Sequence, residues 1–220
     1  MHKTRLISTH QVTHDVKSFR LERPKGFDYK PGDATELALD ADNWRDEKRP
    51  FTMTSLPDDD TLEFTIKSYP DHGGVTMRLH RLEPGSSLLI DDPFETFRHD
   101  SNAVFIAGGA GITPFLALLR SLKKQNRIAG NRLVFANKTR ADIIHQEELS
   151  AMNGLAVTHV LSNEKIDGYR HGHIDKELLT DILGDNDKRF HVCGPPPMQE
   201  AVEKALHEMG FEADSISLSD

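Results

Sequence analysis

The class of fold is decided by the stretch Ala103-Val-Phe-Ile-Ala-Gly108-Gly109-Ala-Gly111-Ile-Thr113-Pro114. Its apolar run shows no polar alternation, which is typical of a strand covered on both faces. Three glycines follow, and then a proline, which suits the first turn of a helix because its missing N–H is not needed there. The stretch predicts a buried strand, a tight turn and a helix, as in α/β folds that bind ligands at the carboxyl ends of parallel strands.

Two further turns point to the kind of ligand. The pattern of apolar run and turn returns in Phe190-His-Val-Cys193-Gly194-Pro195-Pro196-Pro197-Met198. Two such turns flanking a crevice suggest a dinucleotide site. A third turn, Gly73-Gly74-Val75-Thr76, lies upstream, and two glycines before a helix let the free N–H groups of that helix hold an anion. Together the turns predict a chain that holds two phosphate-bearing cofactors.

Residues 100–220 are predicted to form an α/β domain. Apolar strand candidates alternate there with helical stretches, which indicates a parallel sheet with right-handed crossovers. The predicted strands are Val104–Ala107, Leu133–Ala136, Ala156–Leu161 and Phe190–Cys193. The predicted helices are Pro114–Lys124, His145–Met152, Asp175–Leu183 and Met198–Met209.

Residues 1–99 are predicted to form a small antiparallel barrel, because several short strands occur there with hardly any helix. Thr61–Lys67 alternates strictly between apolar and polar residues, and we expect it to pair with Arg49–Ser55. Further strands are predicted at Phe19–Leu21, Ala34–Leu39 and Ser87–Ile90, and one short helix at Val75–Leu82. The domain boundary falls near Arg98–Asn102.

Composition excludes several classes of function. The 220 residues are 37% hydrophobic and 28% charged, as in a globular protein, and the net charge of −8 argues against nucleic acid or a membrane surface as a partner. One cysteine leaves no internal disulfide and no resident iron–sulfur cluster. No secretory signal or spanning segment is visible, so we predict a cytoplasmic protein, and we predict no metal site.

Two basic features have alternative explanations. Residues 1–30 carry seven Lys/Arg against three Asp/Glu, which is either ordinary surface or a docking face for an acidic partner. Arg49 stands 24 residues before Gly73, at the start of a strand that should lie beside that turn. The forked guanidinium of Arg49 can donate two parallel hydrogen bonds to a pyrophosphate, although a surface salt bridge would also account for an arginine at this position.

The ordered set of motifs resembles the ferredoxin–NADP reductase family over nearly the whole chain. Arg49-Pro50-Phe51-Thr52 is similar to the family's Arg-x-Tyr-Ser flavin motif, and Gly73–Thr76 to its Gly-x-x-Ser turn. Gly109–Pro114 is similar to its nicotinamide pyrophosphate loop. The turn Cys193–Met198 is similar to its highly specific Cys-Gly-Pro-Pro-x-Met motif. Pro93-Phe94 is similar to the end of the family's flavin domain, and Gly172-His-Ile-Asp175 to another of its downstream motifs.

The resemblance implies an antiparallel Greek-key flavin-binding barrel followed by a parallel-sheet NAD(P)-binding domain, with FAD and NAD(P)H as cofactors. The implied flavin contacts are Arg49, Pro50, Phe51, Thr52, Ile66, Lys67, Ser68, Gly73, Gly74, Val75 and Thr76. The implied nicotinamide dinucleotide contacts are Gly109, Gly111, Thr113, Pro114, Cys193, Gly194 and Pro195. Thr52, near flavin N5, and Cys193, beside the nicotinamide ring, are the expected catalytic residues.

Three positions depart from the family pattern. Phe51 lacks the hydroxyl of the usual tyrosine, and Glu95 stands where glycine is usual after Pro-Phe. Asn163 stands where NADPH-specific members carry an arginine that binds the 2′-phosphate, although Lys138 and Arg140 offer other cations. We therefore expect NADH to be used at least as well as NADPH.

The implied function is a flavin-dependent NAD(P)H reductase that passes electrons to a separate acceptor such as a ferredoxin, a flavodoxin, an oxygenase component or a small molecule. Two alternatives remain open. One is an enzyme that reduces free flavin bound only transiently. The other is a non-catalytic electron-transfer or redox-sensing flavin module. The acceptor cannot be predicted from the sequence.

Overall fold

The computed structural model describes residues 1–99, 102–184 and 189–219. The strands are β1 His2–Gln11, β2 Val16–Glu22, β3 Asp33–Leu39, β4 Arg49–Thr52, β5 Thr61–Lys67, β6 Ser87–Ile90, β7 Phe94–Glu95, β8 Val104–Gly108, β9 Arg132–Asn137, β10 Ala156–Leu161, β11 Arg170–His171, β12 Phe190–Cys193 and β13 Ile216–Leu218. The helices are α1 Val75–Leu79, α2 Thr113–Lys124, α3 Gln146–Ser150, α4 Lys176–Ile182 and α5 Pro196–Glu208.

The chain divides into two compact units. The first unit comprises Met1–Arg98 with Leu116–Ser121, and the second comprises His99–Phe115 with Leu122–Asp220. The first unit contains an antiparallel sheet and the second a parallel sheet. These are the two kinds of sheet that the change in periodicity along the sequence predicts.

The first unit is a nearly closed antiparallel barrel. Its strands lie in the order β4-β3-β6-β1-β2-β5, and β7 pairs with β3 outside this path. A bridge between Met53 and Phe64 joins the two ends of the sheet. Side chains from most of the strands, among them those of Phe19, Leu37 and Ile90, are fully buried inside. The alternation of apolar and polar residues that predicted these strands is thus the alternation of barrel interior and exterior.

One predicted pairing is confirmed only at its end. We expected Thr61–Lys67 to pair along Arg49–Ser55, whereas β5 pairs over its whole length with β2, and β4 pairs with β3. Pro50 has no N–H to donate, so a strand that contains it belongs at a sheet edge. Just beyond β4, Met53 forms a bridge with Phe64 of β5, and the Thr54 N–H donates to the Glu63 carbonyl over 2.7 Å.

The longest strand, β1, was not predicted. Of its ten residues only Thr4 and Leu6 are buried, and most of the others are exposed, so the sequence lacks apolar alternation. A bulge between Leu6 and Ser8 further interrupts the register with β2. The strand is held by backbone pairing on both edges, with β2 and β6, which no side-chain pattern reveals.

The second unit is built on a parallel sheet in the order β11-β10-β9-β8-β12-β13. From β8 the chain moves outward through β9 and β10 to β11, and then returns to β12 on the other side of β8. The strand order therefore reverses between β8 and β12. In open α/β sheets this switch point is where ligands bind, outside the carboxyl ends of the strands.

Helices cover both faces of this sheet. On one face Val134 and Val160 pack with Leu179 of α4 and with Val202 of α5. On the other face the rings of Phe105 and Phe115 lie 5.2 Å apart and are fully buried. Two-sided burial explains why these strands are continuously apolar.

The four predicted helices of this unit are confirmed in place. α5 begins two residues before the predicted start, because prolines are accepted in the first turn of a helix. α4 begins after Asp175, whose carboxylate accepts the Leu178 N–H over 2.8 Å as an N-cap. In the first unit α1 ends at Leu79, earlier than predicted. No helix among the described residues is long and apolar enough to cross a membrane.

Glu95, the residue in place of the family's glycine, belongs to an ion-pair cluster. Arg98 contacts Glu95 over 3.1 Å and also binds the carboxylate of Asp33, which is only 6% exposed. The second oxygen of Asp33 accepts the Lys30 N–H over 2.7 Å. The cluster joins the start of β3 to the segment after β7.

We expect Arg98→Ala to lower the free energy of unfolding by about 2–3 kcal/mol, because it leaves a nearly buried carboxylate without its cation. Urea denaturation measures this loss. Arg45→Ala is the control, since its guanidinium is half exposed and pairs with Asp40 and Asp42, and surface pairs contribute at most about 1 kcal/mol. Equal losses in the two variants would contradict the assignment.

Candidate functional site

The predicted flavin motif begins at the first residue of β4. The Arg49 guanidinium is half exposed, donates to the Lys48 carbonyl over 2.6 Å and lies 3.5 Å from Glu47. A guanidinium has five N–H donors, so the fork retains donors for a phosphate. Phe51 is partly buried and packs against the barrel core, and Thr52 is partly exposed.

The glycine turn before α1 is open. Gly73 has a φ of +58°, which favours glycine, and a side chain added there would meet no atom within 4 Å. Gly74 is the N-cap of α1, and no side chain caps it. The first N–H groups of a helix have no intrahelical acceptor. The Thr76 hydroxyl oxygen accepts the Tyr69 N–H over 3.3 Å and so keeps its own proton to donate. The turn thus presents donors to open space.

The end of β5 supplies fewer free backbone groups than predicted. The Ser68 N–H donates to the Asp15 carbonyl over 2.8 Å, and Lys67 pairs with the Asp15 carboxylate over 2.9 Å. The Ile66 carbonyl accepts from His80 Nε2 over 2.8 Å. Burial lowers the pKa of His80, so its neutral ring is the donor. Any flavin contact by this segment uses its remaining backbone groups.

An exposed aromatic residue beside this turn was missed by the sequence interpretation. The Tyr69 ring is 43% exposed and stacks on His72, with the centroids 5.7 Å apart and the planes 10° from parallel. Tyr69 lies four residues before Gly73, and His72 lies directly before it. An exposed aromatic face next to a phosphate-binding turn suits contact with a planar ring. The only sequence signal was the position of Tyr69 just after β5.

The predicted nicotinamide residues lie on one edge of the parallel sheet. In register, Cys193 of β12 stands beside Ala107 of β8, and Gly108 stands beside Ala136 of β9. The Gly109 and Cys193 turns therefore leave neighbouring strands at the same height, on either side of the switch point. The structure thus places the two turns together, as their shared pattern predicts.

These two turns are in direct contact, and glycine makes the contact possible. A Cβ at Gly111 would lie 2.2 Å from the Cys193 carbonyl oxygen. A Cβ at Gly108 would lie 2.5 Å from the Met198 sulfur, and one at Gly194 would lie 3.0 Å from the Gly108 nitrogen. Gly108 and Met198 were not predicted as site residues. They set the separation of the two turns.

Gly109 differs from these packed glycines. It has a φ of +52°, and a Cβ there would meet nothing within 4 Å. Gly109 is thus the glycine of this loop that leaves room for a ligand. The Thr113 hydroxyl donates to the Ala110 carbonyl over 3.0 Å, and α2 starts at Thr113 with Pro114 in its first turn. The N-terminus of this helix carries the positive end of the helix dipole.

Cys193 is partly buried at the end of β12. Burial raises the pKa of its thiol, and a hydrogen bond from the Ser219 hydroxyl opposes that shift. A thiol with a raised pKa is protonated at neutral pH and is a poor nucleophile. The side chain therefore suits a shaping role and not covalent catalysis.

Asn137, at the end of β9, was also missed. Its side chain is nine-tenths buried, and both its Oδ1 and its Nδ2 are without a hydrogen-bond partner among the residues that the structure describes. Buried polar atoms in native proteins are nearly always paired, so an unpaired amide at the ligand-binding edge of a sheet indicates a group that a ligand satisfies. A polar residue ending an apolar strand was the available sequence signal.

A carboxylate lies in the loops beyond β9 and β10. Glu164 accepts the Arg140 backbone N–H over 2.7 Å, and the Glu164 carbonyl lies 2.9 Å from His171 Nδ1. The Lys138 carbonyl accepts the Asn163 N–H over 2.8 Å, so the backbone of Lys138 is joined to the same loops. The cations that the sequence offered for a 2′-phosphate thus share their loops with a fixed negative charge.

The residues of each unit fit the cofactors that the motifs imply. For FAD, the first unit offers the Arg49 fork and the open turn at Gly73. For NAD(P)H, the second unit offers the open backbone at Gly109 and the unpaired amide of Asn137. Each is a feature that a bound dinucleotide would complete.

We expect Gly111→Ala to lower the free energy of unfolding by about 3 kcal/mol, because its Cβ would overlap the Cys193 carbonyl. Gly109→Ala, in open space but with a positive φ, should cost about 1 kcal/mol. Urea denaturation compares the two variants. A smaller loss for Gly111→Ala than for Gly109→Ala would show that the two turns do not pack as described.

Two family models match the chain. The oxidoreductase FAD-binding domain matches residues 3–99, and the oxidoreductase NAD-binding domain matches residues 105–204. A solved structure with a TM-score of 0.87, the FAD/NAD-binding domain of nitric oxide dioxygenase from Vibrio cholerae, covers 99% of this chain and 97% of its own at 22% identity. That likeness establishes the fold.

Curated relatives include reductase components. The ferredoxin–NAD(P)+ reductase component of the naphthalene 1,2-dioxygenase system of Pseudomonas putida is 26% identical over 97% of this chain. The reductase component of propane 2-monooxygenase from Mycolicibacterium goodii is 27% identical over 97% of this chain. The chain spans 67% and 66% of their lengths. With both cofactor domains matched in order, the chain belongs to the ferredoxin–NADP reductase-like family, as an oxidoreductase that binds FAD and NAD(P)H.

Proposed function

We propose that this chain is a reductase that uses NAD(P)H to reduce bound FAD and then passes electrons to a separate acceptor protein, such as a ferredoxin, a flavodoxin or an oxygenase component. The observation that carries the proposal is the pair of glycine turns packed together at the switch point of the parallel sheet. The names of the relatives, which are reductase components, support the acceptor class. A cytoplasmic location, where NAD(P)H is available, is part of the proposal.

Within this proposal residues 1–99 bind FAD and residues 100–220 bind NAD(P)H. Bound FAD would accept a hydride from the reduced nicotinamide, which is oxidised to NAD(P)+, and would release the two electrons to the acceptor. Arg49 and the turn Gly73–Thr76 hold the flavin phosphates by charge-assisted hydrogen bonds. The Thr52 hydroxyl donates a hydrogen bond to the flavin ring.

The second unit orients the nicotinamide dinucleotide. The open backbone at Gly109 lets the pyrophosphate approach the N-terminus of α2, whose N–H groups and dipole favour an anion. The Asn137 amide hydrogen-bonds a polar group of the dinucleotide. Cys193, protonated and rigidly placed, shapes the wall against which the nicotinamide ring rests. Geometry and electrostatics are what the protein contributes, since the redox chemistry belongs to the cofactors.

Anaerobic titration of the purified chain with NADH tests the proposal. The chain should purify yellow, bleach on addition of NADH, and recover its colour when an oxidised ferredoxin is added. A colourless chain that reduces added flavin would instead be a free-flavin reductase. A yellow chain that NADH and NADPH leave oxidised would be a passive flavin module, and either outcome would contradict the proposal.

We expect NADH to be used at least as well as NADPH, because Glu164 places a negative charge beside Arg140. A carboxylate repels a 2′-phosphate and accepts a ribose hydroxyl. Glu164→Gln should raise kcat/KM for NADPH about tenfold and leave NADH nearly unchanged. Glu177→Gln, an exposed change on α4, is the control. A wild-type preference for NADPH that disappears in Arg140→Ala would contradict this assignment.

We expect Arg49→Ala to fold but to purify largely colourless. Losing a charge-assisted pair to phosphate should weaken flavin binding by about 1.5–3 kcal/mol, or about ten- to a hundredfold. Flavin occupancy is measured from the visible spectrum, and folding from the far-ultraviolet circular dichroism. Arg45→Ala, which changes an arginine outside the motif, should stay yellow. Full occupancy in Arg49→Ala would remove this residue from the site.

A further inference from the structure

Gln199, in the first turns of α5, makes two side-chain hydrogen bonds to backbone groups outside its helix. Its Nε2 donates to the Gly194 carbonyl over 3.0 Å. Its Oε1 accepts the Ser219 N–H over 3.2 Å. The side chain thereby links the turn after β12 to the residue after β13. Its amide uses one donor and its acceptor at once, so the orientation of the amide is fixed.

The Gly194 end of this link lies in the contact between the two turns of the parallel sheet. A Cβ at Gly194 would lie 3.0 Å from the Gly108 nitrogen and 2.7 Å from the Met198 methyl carbon. A shift of the Gly194 peptide would therefore displace the turn at Gly108. Gln199 is the side chain that holds the carbonyl of this peptide.

The Ser219 end of the link lies beside the thiol. The Ser219 N–H also donates to the Val192 carbonyl over 3.1 Å, so the backbone of Ser219 is held by two acceptors. In the parallel register of β12 and β13, Val192 stands beside Leu218, so Ser219 follows beside Cys193, where its hydroxyl opposes the burial that raises the pKa of the thiol. The direction from which this hydroxyl reaches the sulfur is thus set by the backbone that Gln199 helps to hold.

We propose that Gln199 is a positioning residue that fixes the Cys193–Pro195 turn from both sides, through the Gly194 carbonyl and through Ser219, for hydride transfer. The proposal rests on the proposed function, because it assigns Cys193 to the nicotinamide site. Gln199 contacts the backbone of Gly194 and of Ser219, and it acts on the position of the thiol through these two backbone groups. Small changes in donor–acceptor distance have large effects on rate, so a clamp on this turn controls turnover more than binding.

The first test is the pH profile of Cys193 alkylation by iodoacetamide in the purified chain. Ser219→Ala removes the hydroxyl that stabilises the thiolate, and should raise the pKa of the thiol by about half to one pH unit. Gln199→Met, which is close in volume and makes neither hydrogen bond, should raise it similarly. The double variant should show no further rise, because both changes break the same link.

The second test is stopped-flow reduction of the flavin by NADH. Gln199→Met should slow reduction at saturating NADH about ten- to a hundredfold and leave the NADH concentration at half-maximal rate nearly unchanged. Glu200→Met, an exposed change at the next position of α5, is the matched control. Should Gln199→Met fail to fold, Gln199→Glu replaces it, since it lacks the donor to Gly194 and should show the same slowing.

The outcomes distinguish a failure of the role proposed for Gln199 from a failure of the proposed function. The positioning role of Gln199 would be overturned if Gln199→Met had the same alkylation profile and the same reduction rate as Glu200→Met. It would also be overturned if Gln199→Met shifted the pKa of the thiol but left the reduction rate unchanged. Failure of the wild-type flavin to be reduced by either nucleotide would overturn the proposed function instead. The alkylation profile would still report whether Gln199 orders the turn.

Discussion

The contact of Gly111 with the Cys193 carbonyl is the constraint on which the second unit depends. Two turns that leave neighbouring parallel strands must fit side by side, and there is no space between them for a Cβ. Glycine at 108, 111 and 194 is therefore required by packing, whereas glycine at 109 is required by its positive φ and leaves open space. One loop thus joins two uses of the same residue type, close packing and access for a ligand.

The sequence was sufficient for what depends on local pattern. Apolar runs without alternation located the strands of the parallel sheet, and glycine and proline located its turns. The sequence was insufficient to predict which strands pair with each other. β1 is mostly polar and is held by backbone ladders, and β5 pairs along its whole length with β2, whereas β4 pairs with β3. Side-chain periodicity carries no information about which edge a strand will meet.

The same distinction separates the predicted from the missed site residues. Motif residues such as Arg49 and Cys193 carry signals in their neighbours. Gln199 and Glu164 have no such signal, since their roles come from long-range contacts with Ser219 and with Arg140. Asn137 had only the signal of a polar residue that ends an apolar strand, and the burial of its unpartnered amide is visible in the structure alone. Glu95 shows the converse case, because a departure from the family pattern is explained by its pairing with Arg98.

The burial of Cys193 has a consequence for chemical durability. Peroxide attacks the thiolate and not the thiol, so the burial that raises its pKa also slows oxidation to the sulfenic acid. Reduced flavins exposed to oxygen generate peroxide close to where they are bound. In the function proposed for this chain, Cys193 lies beside the nicotinamide, and a residue in that position must keep its size and polarity through many such events. A soft, neutral and protonated sulfur meets that requirement at a position where an activated thiolate would be lost.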